Sequence, residues 1–218
     1  MLFYYVRHGD PDYANDSLTQ LGKRQAEALA KRLSAHGLDE IYVSSSGRAI
    51  ETARPTFEIL KIEPKVLDWA SENYTFKEFT VDIEGKKEWV FDSSAHIDLL
   101  VSEKVRKADE GWYDTQELAE YDFKQGIERI NKEADAFFET LGYKHNRSKH
   151  IYFTEKPNNK RIALFAHYGF GQAFLSSILD IPLPMFAPHF FIAHSSVTVI
   201  DFRDLGINLL LPTELYIE

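Results

Sequence analysis

Arg7-His8-Gly9 places a guanidinium, an imidazole and a residue without a side chain side by side, directly after the apolar run Leu2 to Val6. Arg48 follows the serine turn Ser44-Ser45-Ser46-Gly47, and His167 follows the run Arg161 to Ala166. Two histidines and two arginines gathered at one place suit phosphoryl transfer. A neutral imidazole nitrogen can attack phosphorus and form a phosphohistidine, which splits one hard displacement into two easier ones. Negative charge spreads over three equatorial oxygens in the transition state, so fixed cations supply most of the help. Arg7 and Arg48 carry planar forks that grip phosphate oxygens in pairs, and His167, if protonated, is a further donor. Gly9 lets the backbone turn sharply or a ligand come close. A leaving alkoxide needs a proton. Glu72, just after the run Leu67 to Trp69, is best placed for this by sequence order, and Asp10, two residues from His8, competes with it. The sequence has no metal-ligand spacing and no glycine-rich nucleotide loop of the Walker type, so no cofactor is expected.

These residues act together only if the fold delivers them to one edge. The run Leu2 to Val6 predicts a buried strand. Thr19 reads as the N-cap of a helix over Leu21 to His36 with Gly37 as its stop, and Leu21, Ala28, Leu29 and Leu33 form its expected buried face. Glu40 to Ser44 predicts a second strand, Arg48 opens a helix ending before Lys61, and Lys65 to Trp69 predicts a further strand. From Asn73 to Asn159 the pattern loosens, apart from a helix expected over Leu118 to Leu141. Order returns with the strand Arg161 to Ala166, a helix over Phe170 to Leu179 and closing strands at Val197 to Phe202 and Ile207 to Leu211. Alternating strands and helices imply right-handed crossovers and a parallel sheet covered on both faces, with ligands beyond the carboxyl ends of its strands. Arg7 and His8, Arg48, and His167 all belong to that edge.

The chain has 218 residues, and its 44% hydrophobic content is ample for a core. A net charge of −9 gives no general attraction to nucleic acid or anionic membrane, so cations that meet an anionic substrate must be local. With no cysteine, disulfides and thiolate chemistry are excluded. The short apolar start, interrupted by Arg7, is no signal-peptide core, and no run approaches membrane-spanning length. A cytoplasmic location is the expectation, and the sequence sets no oligomeric state.

The motifs stand in a recognisable order: Val6-Arg7-His8-Gly9; Leu18-Thr19-Gln20-Leu21-Gly22-Lys23-Arg24-Gln25-Ala26; Ser44-Ser45-Ser46-Gly47-Arg48-Ala49-Ile50-Glu51-Thr52-Ala53; Ala166-His167-Tyr168-Gly169; and Ser195-Ser196-Val197-Thr198. In this the chain resembles the histidine phosphatase superfamily, over residues 1 to 75 and 160 to 203. The resemblance implies a three-layer α/β/α sandwich with a mainly parallel central sheet, as one domain over 1–218. Its core would be 1–72 and 160–218, with an inserted cap at 73–159. It implies His8 as nucleophile, with Arg7, Arg48 and His167 binding the phosphoryl group. It also sets Trp69-Ala70-Ser71-Glu72 where the phosphatase–mutase branch carries its glutamate proton donor. Tyr168 after the second histidine argues against the acid-phosphatase and phytase branch, which has aspartate there. Two departures stand out. Asp10-Pro11 replaces the hydroxyl residue that helps many relatives hold phosphate, and Tyr168-Gly169 replaces Gly-Gly, where the phenol could touch the substrate. The substrate expected is a small phosphate ester, hydrolysed. A phosphoglycerate-type mutase, or a non-catalytic phosphate-binding relative, are the alternatives. The lack of an extra basic set near the motifs favours hydrolysis, and the retention of both histidines and both arginines favours catalysis.

Other residues have plainer readings. Trp89 and Trp112 are expected to pack in the core or cap, and Lys144, His145, Arg147, Lys149 and His150 to form a solvated basic loop. His36, His96, His189 and His194 read as ordinary residues.

Overall fold

The computed structural model describes residues 1–83, 85–91, 94–154, 156–204 and 206–210. Its central sheet has six strands: β1 (Leu2–Arg7), β2 (Glu40–Ser44), β3 (Lys65–Leu67), β4 (Arg161–Ala166), β5 (Val197–Phe202) and β6 (Ile207–Leu210), in the order β6-β5-β1-β4-β2-β3. β1, β4, β2 and β3 run parallel, while β5 lies antiparallel to β1 and β6 antiparallel to β5. Leu211, at the expected end of the last strand, lies outside the described residues, as does the side chain of His96.

The pleat sorts β1 by parity. Tyr4 and Val6 face one way, with Ile41, Val43, Ala163, Phe165 and Val199. That face packs on Leu29 and Leu33 of helix α1 (Gln20–His36) and on Ala49 and Ala53 of helix α2 (Gly47–Leu60). Phe3 faces the other way and meets Phe137 and Phe138 edge-on, at ring centroids 6.1 and 5.1 Å away, while Phe202 stacks on Phe138 at 4.5 Å. These two phenylalanines end the helix Phe123–Thr140. The sheet is therefore covered on both faces, as expected for an α/β/α sandwich.

Several local expectations shift. Thr19 caps α1 by accepting the Gly22 N–H at 3.1 Å, and Gly37 ends it at φ 74°. The buried stripe of α1 is Gly22, Ala26, Leu29, Ala30 and Leu33, whereas Leu21 and Ala28 are exposed. Gly22 sets that rotation, because a Cβ there would overlap the Asp10 carbonyl. The strand expected over Lys65 to Trp69 stops at Leu67 and passes into a single turn, Asp68–Ala70. The helix expected from Leu118 starts at Phe123, and the one expected from Phe170 starts at Tyr168.

Contacts divide the chain into two compact units. One holds Met1–Ser71, Phe137–His167 and Ala193–Glu218; the other holds Glu72–Ala136 and Tyr168–Ile192. Residues 137–159, read from sequence as part of the inserted segment, thus go with the sheet, and residues 168–192 go with the second unit. Inside the second unit, Arg129 makes a two-pronged ion pair with the buried Glu78, Nε to Oε1 at 2.5 Å and Nη2 to Oε2 at 2.7 Å. Trp112 is buried there against Phe123, in keeping with a packing role. The basic residues 144–150 lie on the hairpin Lys144–Asn146 and Ile151–Phe153 with its connecting turn, where His145 stacks on Tyr152 at 4.0 Å. Among the described residues no helix is long and apolar enough to cross a membrane.

Candidate active site

Parallel pairing delivers the two histidines to the same edge. Arg7 is in register with Ala166, and the next residue on each strand is a histidine. His8 N–H donates to the Ala166 carbonyl at 2.9 Å. The His8 and His167 rings stand 5.2 Å apart between centroids, inclined at 61°. Arg7, His8, Arg48 and His167 are all buried in the sheet-bearing unit.

The local backbone fixes the chemistry of His8. Its Nδ1 lies 2.7 Å from the Gly9 carbonyl. A carbonyl only accepts, so Nδ1 carries the proton and the lone pair of the neutral ring is on Nε2. Burial pushes the His8 pKa down to about 3, helped by the positive charges of Arg48 and Arg7 and opposed by the Gly9 contact. The imidazole is therefore a neutral base at physiological pH. Gly9 also matters as a residue of close approach, since a Cβ would come within 2.8 Å of the Gly22 carbonyl on α1. Its amide is not free for a substrate, because it donates to Thr52 Oγ1 at 3.0 Å. Thr52 in turn donates to the Arg48 carbonyl at 2.7 Å, tying the His8-Gly9 segment to α2.

Arg48 sits in the first turn of α2, whose N-terminal dipole favours an anion. Its Nη1 is ion-paired with Asp16, and the same carboxylate accepts the Gly47 N–H at 2.6 Å. Tyr13 stands 5.5 Å from the guanidinium carbon, ring face toward the charge. Arg48 Nε is buried and has no hydrogen-bond partner among the described residues. His167 is fully buried and held by its main chain: Tyr5 Oη donates to its carbonyl at 2.5 Å. Its Nε2 lies 2.8 Å from Ser44 Oγ, while its Nδ1 has no partner among the described residues. Burial first, then the charge of Arg48, pushes its pKa well below the ordinary histidine value. Arg48 Nε and His167 Nδ1 are thus buried polar atoms with no hydrogen-bond partner among the described residues.

Glu72 and Tyr168 belong to the second unit. The Glu72 carboxylate accepts the Gly169 N–H on Oε1 at 3.0 Å and the Phe170 N–H on Oε2 at 2.9 Å, so it sits on the first turn of the helix Tyr168–Ile178 that follows His167 in the chain. Tyr168 packs edge-on against Trp89 and Phe91, each at 6.3 Å, and meets Phe191 at 5.6 Å. Asp10, the competing acid, accepts the Thr19 hydroxyl at 2.5 Å, and its amide donates to Gln25 Oε1 at 2.7 Å.

Two participants are not legible in the sequence. Asp16 reads there as one more residue of a polar turn, and nothing in its spacing announces the pairing with Arg48. His194 reads as an ordinary histidine, yet Arg7 Nη2 donates to its Nε2 at 2.7 Å. The signal that could find it is its place directly before Ser195-Ser196, in the turn that leads into the strand pairing with β1.

Comparison with known proteins bears on the family and the fold. Residues 3–79 match the family model of the histidine phosphatase superfamily (branch 1). No curated protein matches the chain by sequence. The fold is shared along nearly the whole chain with solved structures. A phosphoserine phosphatase from Entamoeba histolytica, in complex with 3-phosphoglyceric acid, is 18% identical over 96% of this chain and 95% of its own, at TM-score 0.61. A mycobacterial glucosyl-3-phosphoglycerate phosphatase is 19% identical over 96% and 97%, at 0.61. A putative alpha-ribazole-5'-P phosphatase from Escherichia coli is 17% identical over 97% and 96%, also at 0.61. The sequence likeness to that family thus spans residues 3–79, and the fold is the one these solved phosphatase structures share.

Proposed function

We propose that the protein is a phosphomonoesterase that hydrolyses a small phosphorylated metabolite through a phosphohistidine on His8. The observation that carries this reading is the state of His8: Nδ1 committed to the Gly9 carbonyl, the ring held neutral, and Nε2 left as a nucleophile beside two arginines. In the first step the Nε2 lone pair forms the N–P bond while the ester P–O bond breaks. The leaving alkoxide takes a proton from a carboxylic acid, a role we assign to Glu72. Its carboxylate is fixed by two backbone N–H groups of the helix that begins immediately after His167. Arg7, Arg48 and the His167 ring meet the equatorial oxygens and hold their charge through the displacement. In the second step water attacks phosphorus and gives its proton to the Glu72 carboxylate. The N–P bond breaks, inorganic phosphate leaves, and the His8 lone pair returns. A phosphate dianion would also restore the proton affinity that burial takes from His167, making that ring a donor when the site is filled.

The charges needed for both steps come from the protein's own side chains. Turnover of para-nitrophenyl phosphate in excess EDTA, abolished by His8→Ala, is the expected result. A reaction quenched in alkali should leave base-stable, acid-labile phosphate on the wild-type chain. No turnover of any phosphate ester would overturn the reading in favour of a binding protein. Isomerisation of 3-phosphoglycerate without release of phosphate would replace hydrolysis by mutase activity.

A further inference from the structure

The proposed chemistry uses Arg7 as a phosphate donor, yet its guanidinium is already held by an imidazole on another strand's approach. Arg7 Nη2 lies 2.7 Å from His194 Nε2. A guanidinium has donors only, so Nε2 must present its lone pair and the proton of the neutral His194 ring sits on Nδ1. The His194 ring is 5.5 Å from that of His8, inclined at 37°. The next two residues hold the same dipeptide by its main chain. Ser195 N–H donates to the His8 carbonyl at 3.1 Å, and the Ser196 carbonyl accepts the Arg7 N–H at 3.2 Å. Residues 194–196 therefore grip the backbone of Arg7-His8 and the side chain of Arg7 together.

We propose that His194 is a positioning residue: as a neutral acceptor it aims the Arg7 guanidinium so that its other N–H groups face the phosphoryl group, and protonation of His194 releases Arg7. The proposal rests on the phosphatase reading only for its kinetic readout. The groups that face His194 are Arg7 and His8 at the end of β1 and Asp10 in the loop beyond. Burial and then the charge of Arg7 push its pKa below the ordinary value, while Asp10 acts the other way. The neutral acceptor is thus the prevailing form at neutral pH, and the contact with Arg7 is lost as pH falls through the lowered pKa. At that point two cationic groups would face each other.

The test is the pH dependence of kcat/KM for para-nitrophenyl phosphate in His194→Ala, His194→Asn and, as a control, the exposed His36→Ala. A hydrogen bond to a charged group is lost in His194→Ala, so kcat/KM should fall by about tenfold to a hundredfold near neutral pH. His194→Asn keeps an acceptor that does not titrate. It should recover most of the loss and remove one proton's steepness from the acid limb, with His36→Ala unchanged in both respects. In Arg7→Ala/His194→Ala the second substitution should cost nothing beyond Arg7→Ala, which separates positioning from a general loss of structure. An alanine variant within threefold of wild type, an asparagine variant with the wild-type acid limb, or full additivity in the double variant would overturn the proposal. If the wild type turns over no ester, the phosphatase reading fails by itself. The same variants are then compared for binding of inorganic phosphate: weaker binding by His194→Ala supports the positioning role, and equal binding refutes it.

Discussion

Substituting His8 by asparagine should make the fold less sensitive to acid while removing activity. The introduced carboxamide can still donate to the Gly9 carbonyl from nearly the place of Nδ1, but it cannot take up a proton. In the wild type His8 is 2% exposed, with a pKa of about 3, against about 6.5 for a histidine in an unfolded chain. Between those values the unfolded chain binds a proton that the folded chain refuses. The stability is therefore fully present above about pH 6.5 and drains away as pH falls toward 3. Near pH 5 the loss is RT ln(1 + 10^1.5), about 2 kcal/mol, and near pH 7.5 it is about 0.1 kcal/mol or less. For a chain of this length that corresponds to roughly 4–8 °C in Tm. His167 acts with the same sign, but it is present in both proteins and largely subtracts out. Urea unfolding of wild type and His8→Asn at the two pH values is the assay. Fluorescence and circular dichroism should both be followed, because two compact units need not unfold together. Wild type should lose about 2 kcal/mol more than His8→Asn on acidification. Equal losses would mean that His8 titrates normally in the folded protein, and it could not then be the neutral buried nucleophile. An NMR titration gives the same answer independently: the His8 ring should show no inflection between about pH 5 and 8.

Three further outcomes are expected. Arg48→Lys keeps the charge but loses the fork, so kcat/KM should fall by about a hundredfold or more, and a loss under threefold would remove Arg48 from the phosphoryl site. Glu72→Gln should lower kcat/KM for alkyl phosphates by about 10²–10⁴, with a much smaller effect on para-nitrophenyl phosphate, whose leaving group hardly needs a proton. Equal losses on both substrates would take proton donation away from Glu72. Gly169→Ala would drive a Cβ into the Trp89 ring, so urea unfolding should show a cost of about 1–3 kcal/mol, and unchanged stability would show that this packing is not as drawn.

What the sequence could and could not say follows from how each contact is made. Arg7, His8, Arg48 and His167 are legible because each stands at the end or just past the end of a strand with a strong apolar pattern. Parallel register then brings strand ends together without further instruction. The α1 stripe is misread from sequence because apolar periodicity is blind to Gly22. That position carries no hydrophobic side chain, yet the close approach of the Asp10 carbonyl sets the helix rotation. Residues 72–122 are hard to read for another reason: the described elements there are short and the packing is aromatic rather than periodic, as in the contacts of Phe79 with Phe91 and Phe123. Asp16 and His194 escape for a different reason. Each acts on an arginine already recognised, and a partner of an arginine is chosen by distance in the fold, not by a spacing in the chain. Asp16 reaches Arg48 from a turn with φ 44° at its own backbone, and His194 reaches Arg7 from the turn that leads into β5. Motifs therefore reveal the groups at the strand ends, and the groups that contact them become visible only once strand order is known. That is why His194, and not a fifth motif residue, is the informative place to mutate next.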